Sequence, residues 1–400
     1  MSALYFYDDA RARQFEPFAL TRPGSELRAG TSLIRKRWER ATSCKSAGFL
    51  SSPHLAHFEE KDAPPAVGPD AEVPAGSVIV NTRFVIPLDL TLDSFDLLMC
   101  EGVACAVRLA RAVPASQFAN GSLDLGTIQT SLGGRKIPGR WINEVWEFIA
   151  SLSQQLKEDI PLRARGLKTI ASPGAAIYGK GEIFVEEGAT IGPQVVFDVS
   201  DGPILIRRGA VISPFTHLVG PIAVGRESHI LGDRVGGSSI GEFCKVRGEF
   251  SSSIVLGYSN KGHAGFVGHS YLGRWVNLGA MTTTSNLKNT YGSVHIWTPT
   301  GVRDTGQQFL GTLFGDHAKT GIGALLSTGS VLGAGANVFG GKMPPSVVPP
   351  FAWGDGPPYA TYDVDRFLTV AERVMARRHV ELGSQERMQL TEAHRRRWTK

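Results

Sequence analysis

Gly257-Tyr258-Ser259-Asn260-Lys261-Gly262-His263, followed by Phe266-Val267-Gly268-His269-Ser270-Tyr271-Leu272-Gly273 and Val276-Asn277-Leu278-Gly279-Ala280, is the stretch that decides the fold. Bulky apolar residues recur every six positions (Phe266, Leu272, Leu278), with glycines at many of the intervening corners. A period of six suits neither a helix nor an ordinary strand and marks a hexapeptide β-helix. The same period extends outward in both directions. Val185, Ile191 and Phe197 form one run, and Ile206, Ile212, Leu218, Val224 and Ile230 another; Ile240 and Val246 follow, then Leu326, Leu332 and Val338 near the end. Each hexad supplies a short strand and a corner, and three hexads close a coil that buries its inner face only by stacking on the next. Two excursions, Asp198–Pro203 and Ser285–Phe314, interrupt the repeat, and such interruptions of a solenoid commonly carry function.

Glycine usage divides the 400 residues: of 47 glycines, 34 lie between Gly174 and Gly356 and 12 precede them. The first part reads as mixed α/β. Leu4–Tyr7 and Ser77–Val85 are expected strands, Thr31–Ala41 an expected helix, and Trp141–Lys157 has apolar residues at helical spacing. Ala63–Gly76, rich in proline and alanine, reads as a surface connection. Beyond Pro349-Pro350 the repeat is expected to stop, and Asp363–Glu381 and Ser384–Trp398 read as helices ending in a basic cluster at Arg395-Arg396-Arg397. The domains implied are 1–168, 169–356 and a helical tail, 357–400.

Composition narrows the function. A net charge of +5 is mild for this length; it suits phosphate-bearing small molecules and does not call for nucleic acid. No apolar run approaches a membrane span, and Met1–Asp9 lacks the pattern of a secretory signal. Cys44, Cys100, Cys105 and Cys244 have no metal or disulfide spacing, so reduced thiols in a cytoplasmic protein are expected.

Four motifs carry a resemblance: Tyr258-Ser259-Asn260-Lys261-Gly262-His263, Ser285-Asn286-Leu287-Lys288-Asn289, Gly315-Asp316-His317-Ala318-Lys319-Thr320-Gly321 and Pro350-Phe351-Ala352-Trp353-Gly354. With them the C-terminal half resembles the acetyltransferase domain of the bifunctional N-acetylglucosamine-1-phosphate uridylyltransferase/glucosamine-1-phosphate acetyltransferase (GlmU-like) enzymes. The whole chain resembles a divergent bacterial branch with a shortened N-terminal domain. The resemblance implies a left-handed parallel β-helix behind an α/β nucleotidyltransferase-like domain, a homotrimer, and acetyl-CoA as co-substrate in a pathway to UDP-N-acetylglucosamine. His263 takes the place of the base that deprotonates the sugar amine, a task suited to an imidazole because only a neutral amine attacks a thioester. Asn277 and Asn286 match acceptor-orienting asparagines. Lys261, Lys245 and Arg247 are candidates for the acceptor's phosphate, and Ala280, Gly321 and Ile322 for the cofactor, with the Ala280 N–H facing the thioester oxygen. The chain departs from the family at Met281, Leu287, Phe266 and Ile322, so acetyl transfer is better supported than the identity of the sugar.

At the other end, Leu20-Thr21-Arg22-Pro23 and Leu27-Arg28-Ala29-Gly30-Thr31 stand where the family has a glycine-rich triphosphate loop. That loop lacks its glycines here, leaving Arg22, Arg28, Lys36 and Asn81 as candidate nucleotide-binding residues. Mg2+ would be needed if this domain is active; Asp8, Asp9, Asp89 and Asp93 are the candidate carboxylates, and no pair stands out. Two rivals stay open: a sugar-1-phosphate nucleotidyltransferase with the coil as a trimerising platform, and a metal-dependent hydratase, which needs converging histidines.

Overall fold

The computed structural model describes residues 3–128, 134–167 and 174–398. The expected domain boundary at 168/169 lies outside the described residues. Contacts divide the chain into one compact unit of residues 1–147 and 383–396 and another of 148–382 and 397–400. The two tail helices therefore belong to different units.

The first unit is built on a six-stranded sheet. Its elements are β1 (Ala3–Tyr7), α1 (Ile34–Thr42), β2 (Lys45–Leu50), β3 (Val78–Asn81), β4 (Leu97–Cys100), β5 (Val103–Arg108) and β6 (Arg135–Lys136), and the strand order is β6-β4-β5-β3-β1-β2. β1 runs parallel to both β2 and β3, whereas β5 pairs antiparallel with β3. Every residue of β3 is buried, as its unbroken apolar run requires for a central strand covered on both faces. The expected strand Ser77–Val85 is two pieces, β3 and Phe84–Val85, because Thr82-Arg83 turn the chain away to pair with Arg140–Trp141. Trp141 thus belongs to a strand, and the helical spacing read there is realised from Glu147 to Ala150 and in α2 (Leu152–Arg163). The connection Ala63–Gly76 contributes Glu72–Val73 to a small ladder with Val113–Pro114.

The second unit is a parallel β-helix. Its strands stack into three parallel faces of six, nine and nine strands, the last face extended by an antiparallel strand, Ala360–Thr361. Face 1 runs from Ala176–Tyr178 to Phe266–Gly268, face 2 from Ile183–Val185 to Val347–Val348, and face 3 from Thr190–Ile191 to Ala352–Gly354. Inward residues such as Ile206, Ile212, Leu218, Val224, Ile230 and Leu272 form one continuous core, each nearly inaccessible. At one position the six-residue register misreads the chain: Val267, not Phe266, points into the core, since Val267 pairs with the buried Phe250 whereas Phe266 pairs with the exposed Glu249. The long excursion ends earlier than expected, as Thr312–Phe314 already pairs in face 2, and it carries a hairpin, His295–Thr298 with Gly301–Asp304. Nor does the coil end at Pro350, because Ala352–Gly354 adds a further strand to face 3.

The corner between faces 2 and 3 is stacked. Phe243, Tyr258, Trp275, His317 and Phe351 hold equivalent places there, all with positive φ between 55° and 61°. Such backbone disfavours large side chains by about 1–3 kcal/mol each. Ring stacking offsets this: Phe243 lies 4.9 Å from Tyr258, and Tyr258 4.4 Å from Trp275, at about 0.5–1.5 kcal/mol per pair. Helix α3 (Val364–Ala376) caps the ladder by setting Phe367 edge-on to His317 and Phe351; α4 (Ser384–Arg396) belongs to the first unit.

Candidate functional site

Strand register places the expected acyl-transfer residues. Asn260 pairs with Asn277, and Leu278 with Thr320. Counting on from these pairs, His263, Ala280 and Ile322 occupy the same position on three successive coils, along the edge between faces 3 and 1. Backbone bonds tie the coils together beside them: the Met281 N–H donates to the Ala264 carbonyl, and the Gly323 N–H to the Ala280 carbonyl, each at 2.8 Å. The N–H groups of Ala280 and Ile322 donate to nothing among the described residues. Gly321 lets this edge stay tight, because a Cβ there would sit 2.9 Å from the Phe339 Cβ. Arg247 lies on the same edge one coil earlier, exposed and 3.2 Å from the Asp233 carboxylate.

His263 itself is exposed, and its ring has no hydrogen-bond partner among the described residues. What fixes its loop is Lys261. This lysine fills an inward slot, in register with Val246, and is only 2% exposed. Its ammonium donates to the carbonyls of His263 (2.5 Å), Ala264 (3.0 Å) and Arg247 (3.5 Å). Burial pulls its pKa down to about 8. Lys261 was expected to meet the acceptor's phosphate; the structure instead gives its charge to three backbone carbonyls, the partners that make a buried ammonium tolerable.

The other expected residues fall in two places. Asn286 stacks on His269 at the edge between faces 1 and 2, where its amide donates to the His269 Nδ1 at 2.8 Å. That bond leaves the proton of a neutral His269 on Nε2, and burial holds the ring's pKa below its usual value. Phe309, from the excursion, stacks over it at 5.3 Å. Lys245 and Asn277 point outward from face 3, in a column that reads His229, Lys245, Asn260, Asn277, Lys319. Asn260 links Asn277, at 3.4 Å, to the guanidinium of Arg378, at 2.8 Å. Lys319 and Arg378 were not singled out from the sequence. Lys319 lies inside a quoted motif, and its place two residues before the Gly321 corner is the outward slot of the repeat, which would have flagged it.

In the first unit, polar residues gather at the carboxyl ends of β1, β2 and β3, where the chain order reverses across β1. Ligands of open α/β sheets bind at such points. Asp8 is buried and accepts from the hydroxyls of Ser51 and Thr82 and from the Gly24 N–H (3.1 Å); burial pushes its pKa up despite these bonds. Asp9 accepts from Arg83 (2.8 Å) and Asn81 (2.9 Å). Burial pushes its carboxyl up, but the Arg83 bond and charge outweigh this and hold it below the usual range. Ser51, Thr82 and Arg83 went unrecognised in the sequence, where only their strand-terminal positions could have marked them. Asn81 is in this cluster, while the three expected cations are engaged elsewhere. Buried Arg22 pairs with Glu60 at 2.8 Å, Arg28 donates to the Thr31 carbonyl at 2.7 Å, and Lys36 pairs with Glu39 at 2.9 Å. Asp89 and Asp93 are exposed. No group of three or more histidine, cysteine or carboxylate side chains is placed to hold a metal among the described residues.

Residues 4–168 match the model of the sugar nucleotidyl transferase family. The bifunctional protein GlmU of Desulfitobacterium hafniense (strain DSM 10664 / DCB-2) is 30% identical over 210 residues, covering 45% of this chain and 42% of that protein. GlmU of Bartonella quintana is 27% identical over 217 residues, covering 52% and 42%. This chain is thus similar to GlmU proteins over about half of its length. It spans about two fifths of the length of these curated relatives, 42% in each case. Among solved structures, a mutant of AntD, an N-acyltransferase from Bacillus cereus in complex with dTDP and coenzyme A, matches 52% of this chain and 98% of that one at 13% identity and a TM-score of 0.22. No helix among the described residues is long and apolar enough to cross a membrane.

Proposed function

We propose that this chain is an acetyl-CoA-dependent N-acetyltransferase acting on an amino-sugar 1-phosphate of the glucosamine-1-phosphate kind. The observation that carries the reading is the alignment of His263 with the Ala280 and Ile322 N–H groups along one edge of the coil. An unengaged imidazole and a row of unengaged donors on one edge are what acyl transfer needs. His263 takes a proton from the sugar's ammonium group, and the free amine attacks the thioester carbonyl. As the C–N bond forms the Ala280 N–H stabilises the developing oxyanion, and the attacking nitrogen sheds its surplus proton to solvent as the C–S bond breaks. The imidazolium then returns its proton to the departing thiolate. The Ile322 N–H, one coil on, suits an amide carbonyl of the cofactor's pantetheine arm, and Gly321 keeps that approach open. Asn277, on face 3, and Asn286, at the far end of face 1, orient the acceptor from either side of this edge.

Lys261 acts here as a positioning residue that holds the His263 loop. Apolar side chains crowd the same edge, with Ile322 79% and Met281 55% exposed, which fits a homotrimer in which a neighbouring subunit closes the cofactor groove. None of the four cysteines is in a disulfide, as a cytoplasmic location would have them. The test is release of free thiol from acetyl-CoA with glucosamine 1-phosphate, comparing wild type with His263→Ala. Turnover that survives the substitution would sink the assignment of the base.

One observation favours a second activity, nucleotidyl transfer by the first unit: the Asp8, Asp9, Asn81 and Arg83 cluster lies at the switch point of a sugar nucleotidyl transferase domain. The carboxylates do not fit a Mg2+ site as they stand. Each already accepts from protein donors, Asp8 from Ser51, Thr82 and Gly24 and Asp9 from Arg83 and Asn81, so no metal-assisted step is derived. Titration with UTP, followed by calorimetry, tests nucleotide binding on its own; a flat isotherm would remove this reading and leave acyl transfer untouched.

A further inference from the structure

A cavity opens on face 3 at some remove from the His263 edge. It is lined by Tyr258 and Trp275 of the ring ladder, by Asn260, Asn277 and Lys319 of face 3, and by Arg377 and Arg378 just beyond the carboxyl end of α3. No carboxylate lines it. Three cationic side chains therefore converge on one hollow with no anionic partner among its lining residues, an arrangement that like-charge repulsion disfavours unless an anion completes it.

The donors differ in direction and kind. The Lys319 amine is half-buried and spends one proton on the His317 carbonyl at 3.0 Å, leaving two for another acceptor. Arg378 gives one Nη to Asn260 at 2.8 Å and has other N–H groups on its fork. The carboxamides of Asn260 and Asn277 add neutral donors. An ammonium, a guanidinium fork and amides arriving from separate walls match the several oxygens of a tetrahedral anion. Burial also pulls Lys319 down to about 8, and a bound anion would raise it again. The stacked rings beneath offer an apolar surface of the sort on which a sugar ring packs.

We infer that this pocket binds the phosphoryl group of a phosphorylated small molecule. Assigning that group to the amino-sugar acceptor rests on the acyl-transfer reading above; the pocket's affinity for phosphate does not. Asn277 is the link between the two, because it lines the pocket and lies three residues from Ala280 on the same strand and corner.

The experiment is calorimetric titration of the intact chain with inorganic phosphate at pH 7 and constant ionic strength, in the wild type, Lys319→Met, Arg378→Met and Lys319→Arg. Saturable binding in the wild type, weakened about tenfold or more in each methionine variant and partly recovered in Lys319→Arg, is the expected result. Circular dichroism and melting temperature show whether each variant is folded, and Lys319→Arg keeps the test alive should Lys319→Met unfold. No saturable uptake by the wild type, or affinity unchanged from wild type in both methionine variants, would overturn the pocket. A second arm titrates phosphate in the presence of glucosamine 1-phosphate or of coenzyme A. Competition by the sugar phosphate supports the acceptor; competition by coenzyme A alone overturns that assignment. His263→Ala separates the readings, since it should abolish thiol release while keeping the phosphate isotherm. An isotherm without thiol release in the wild type would sink acyl transfer and spare the pocket.

Discussion

The two polar centres of this molecule are organised in opposite ways. Along the coil edge the groups with chemistry to do are left open: the His263 ring and the Ala280 and Ile322 N–H groups meet no protein partner among the described residues, while the buried Lys261 behind them is fully occupied. At the switch point of the first unit nearly everything is engaged, with Asp8 held by two hydroxyls and an N–H and Asp9 by a guanidinium and an amide. An open centre is poised for a substrate; a closed one must exchange protein bonds for ligand bonds before it can act. Mutations should therefore affect turnover at the edge and stability at the switch point.

The largest expected effect is at His263. Replacement by alanine should lower kcat for thiol release by about a hundredfold or more, the loss typical of removing a general base, with little change in melting temperature because the side chain is exposed. A fall in stability with kcat unchanged would erase the contrast between the centres. At the switch point the pattern reverses. Arg83→Met leaves the Asp9 carboxylate half-buried with only Asn81 and backbone donors. Breaking a fully buried pair costs about 3–5 kcal/mol; this one is partly solvated, so roughly 1–3 kcal/mol is expected in the first unit's unfolding, read by denaturant titration. Thiol release should stay at the wild-type level.

The sequence revealed these centres unequally, for physical reasons. A coil repeats one backbone geometry, so a period of six identifies the inward slots, and a motif read on that grid puts His263, Ala280 and Ile322 on one edge. The grid fails where a residue breaks its own chemistry. Lys261 occupies an inward slot that pattern reasoning reserves for an aliphatic side chain, and its reach to carbonyls two and three residues on depends on corner geometry. Phe266 keeps the period yet faces outward, with Val267 inside. In the first unit no repeat exists, and Arg22, Arg28 and Lys36 look like phosphate ligands only while their partners are unknown. Glu60, Thr31 and Glu39 claim them through folding that the local sequence does not announce. Asp8 and Asp9 stand out only once β1 is known to be flanked on both sides by parallel strands.

A smaller effect sharpens the division between the two kinds of residue at the edge itself. Lys261→Met keeps most of the side chain's volume but removes the donor to three carbonyls. Leaving buried acceptors unsatisfied costs about 1–3 kcal/mol each in the worst case, partly offset because a buried charge disappears. The His263 loop should loosen, lowering kcat by about tenfold with KM for acetyl-CoA little changed, since Ala280 and Ile322 are untouched. A purely structural role would lower melting temperature without moving kcat in the protein that remains folded, and that outcome would remove Lys261 from the mechanism.

The finest test uses protons alone. Lys261 and Lys319 both have folded pKa values near 8, below the usual lysine value of 10.5. Between those values the unfolded chain binds more protons than the folded one, so their contribution to stability rises as pH increases from about 8 towards 10.5. Asp8 has the opposite sign. Its folded pKa is raised above 3.8, so its stabilising contribution is complete below that value and is lost as pH rises through the folded pKa. Alkaline pH should thus favour the coil's lysines and mild acid the Asp8 centre. Denaturant titrations from pH 4 to pH 10 check this, with Lys261→Met and Asp8→Asn each flattening only its own limb. Phosphate adds a further constraint: an anion bound beside Lys319 raises that group's folded pKa towards its unfolded value, and so should shrink the alkaline gain in wild type but not in Lys319→Met. If phosphate left the alkaline limb unchanged in both proteins, the cluster of cations on face 3 would be a property of the bare fold and not of a binding site.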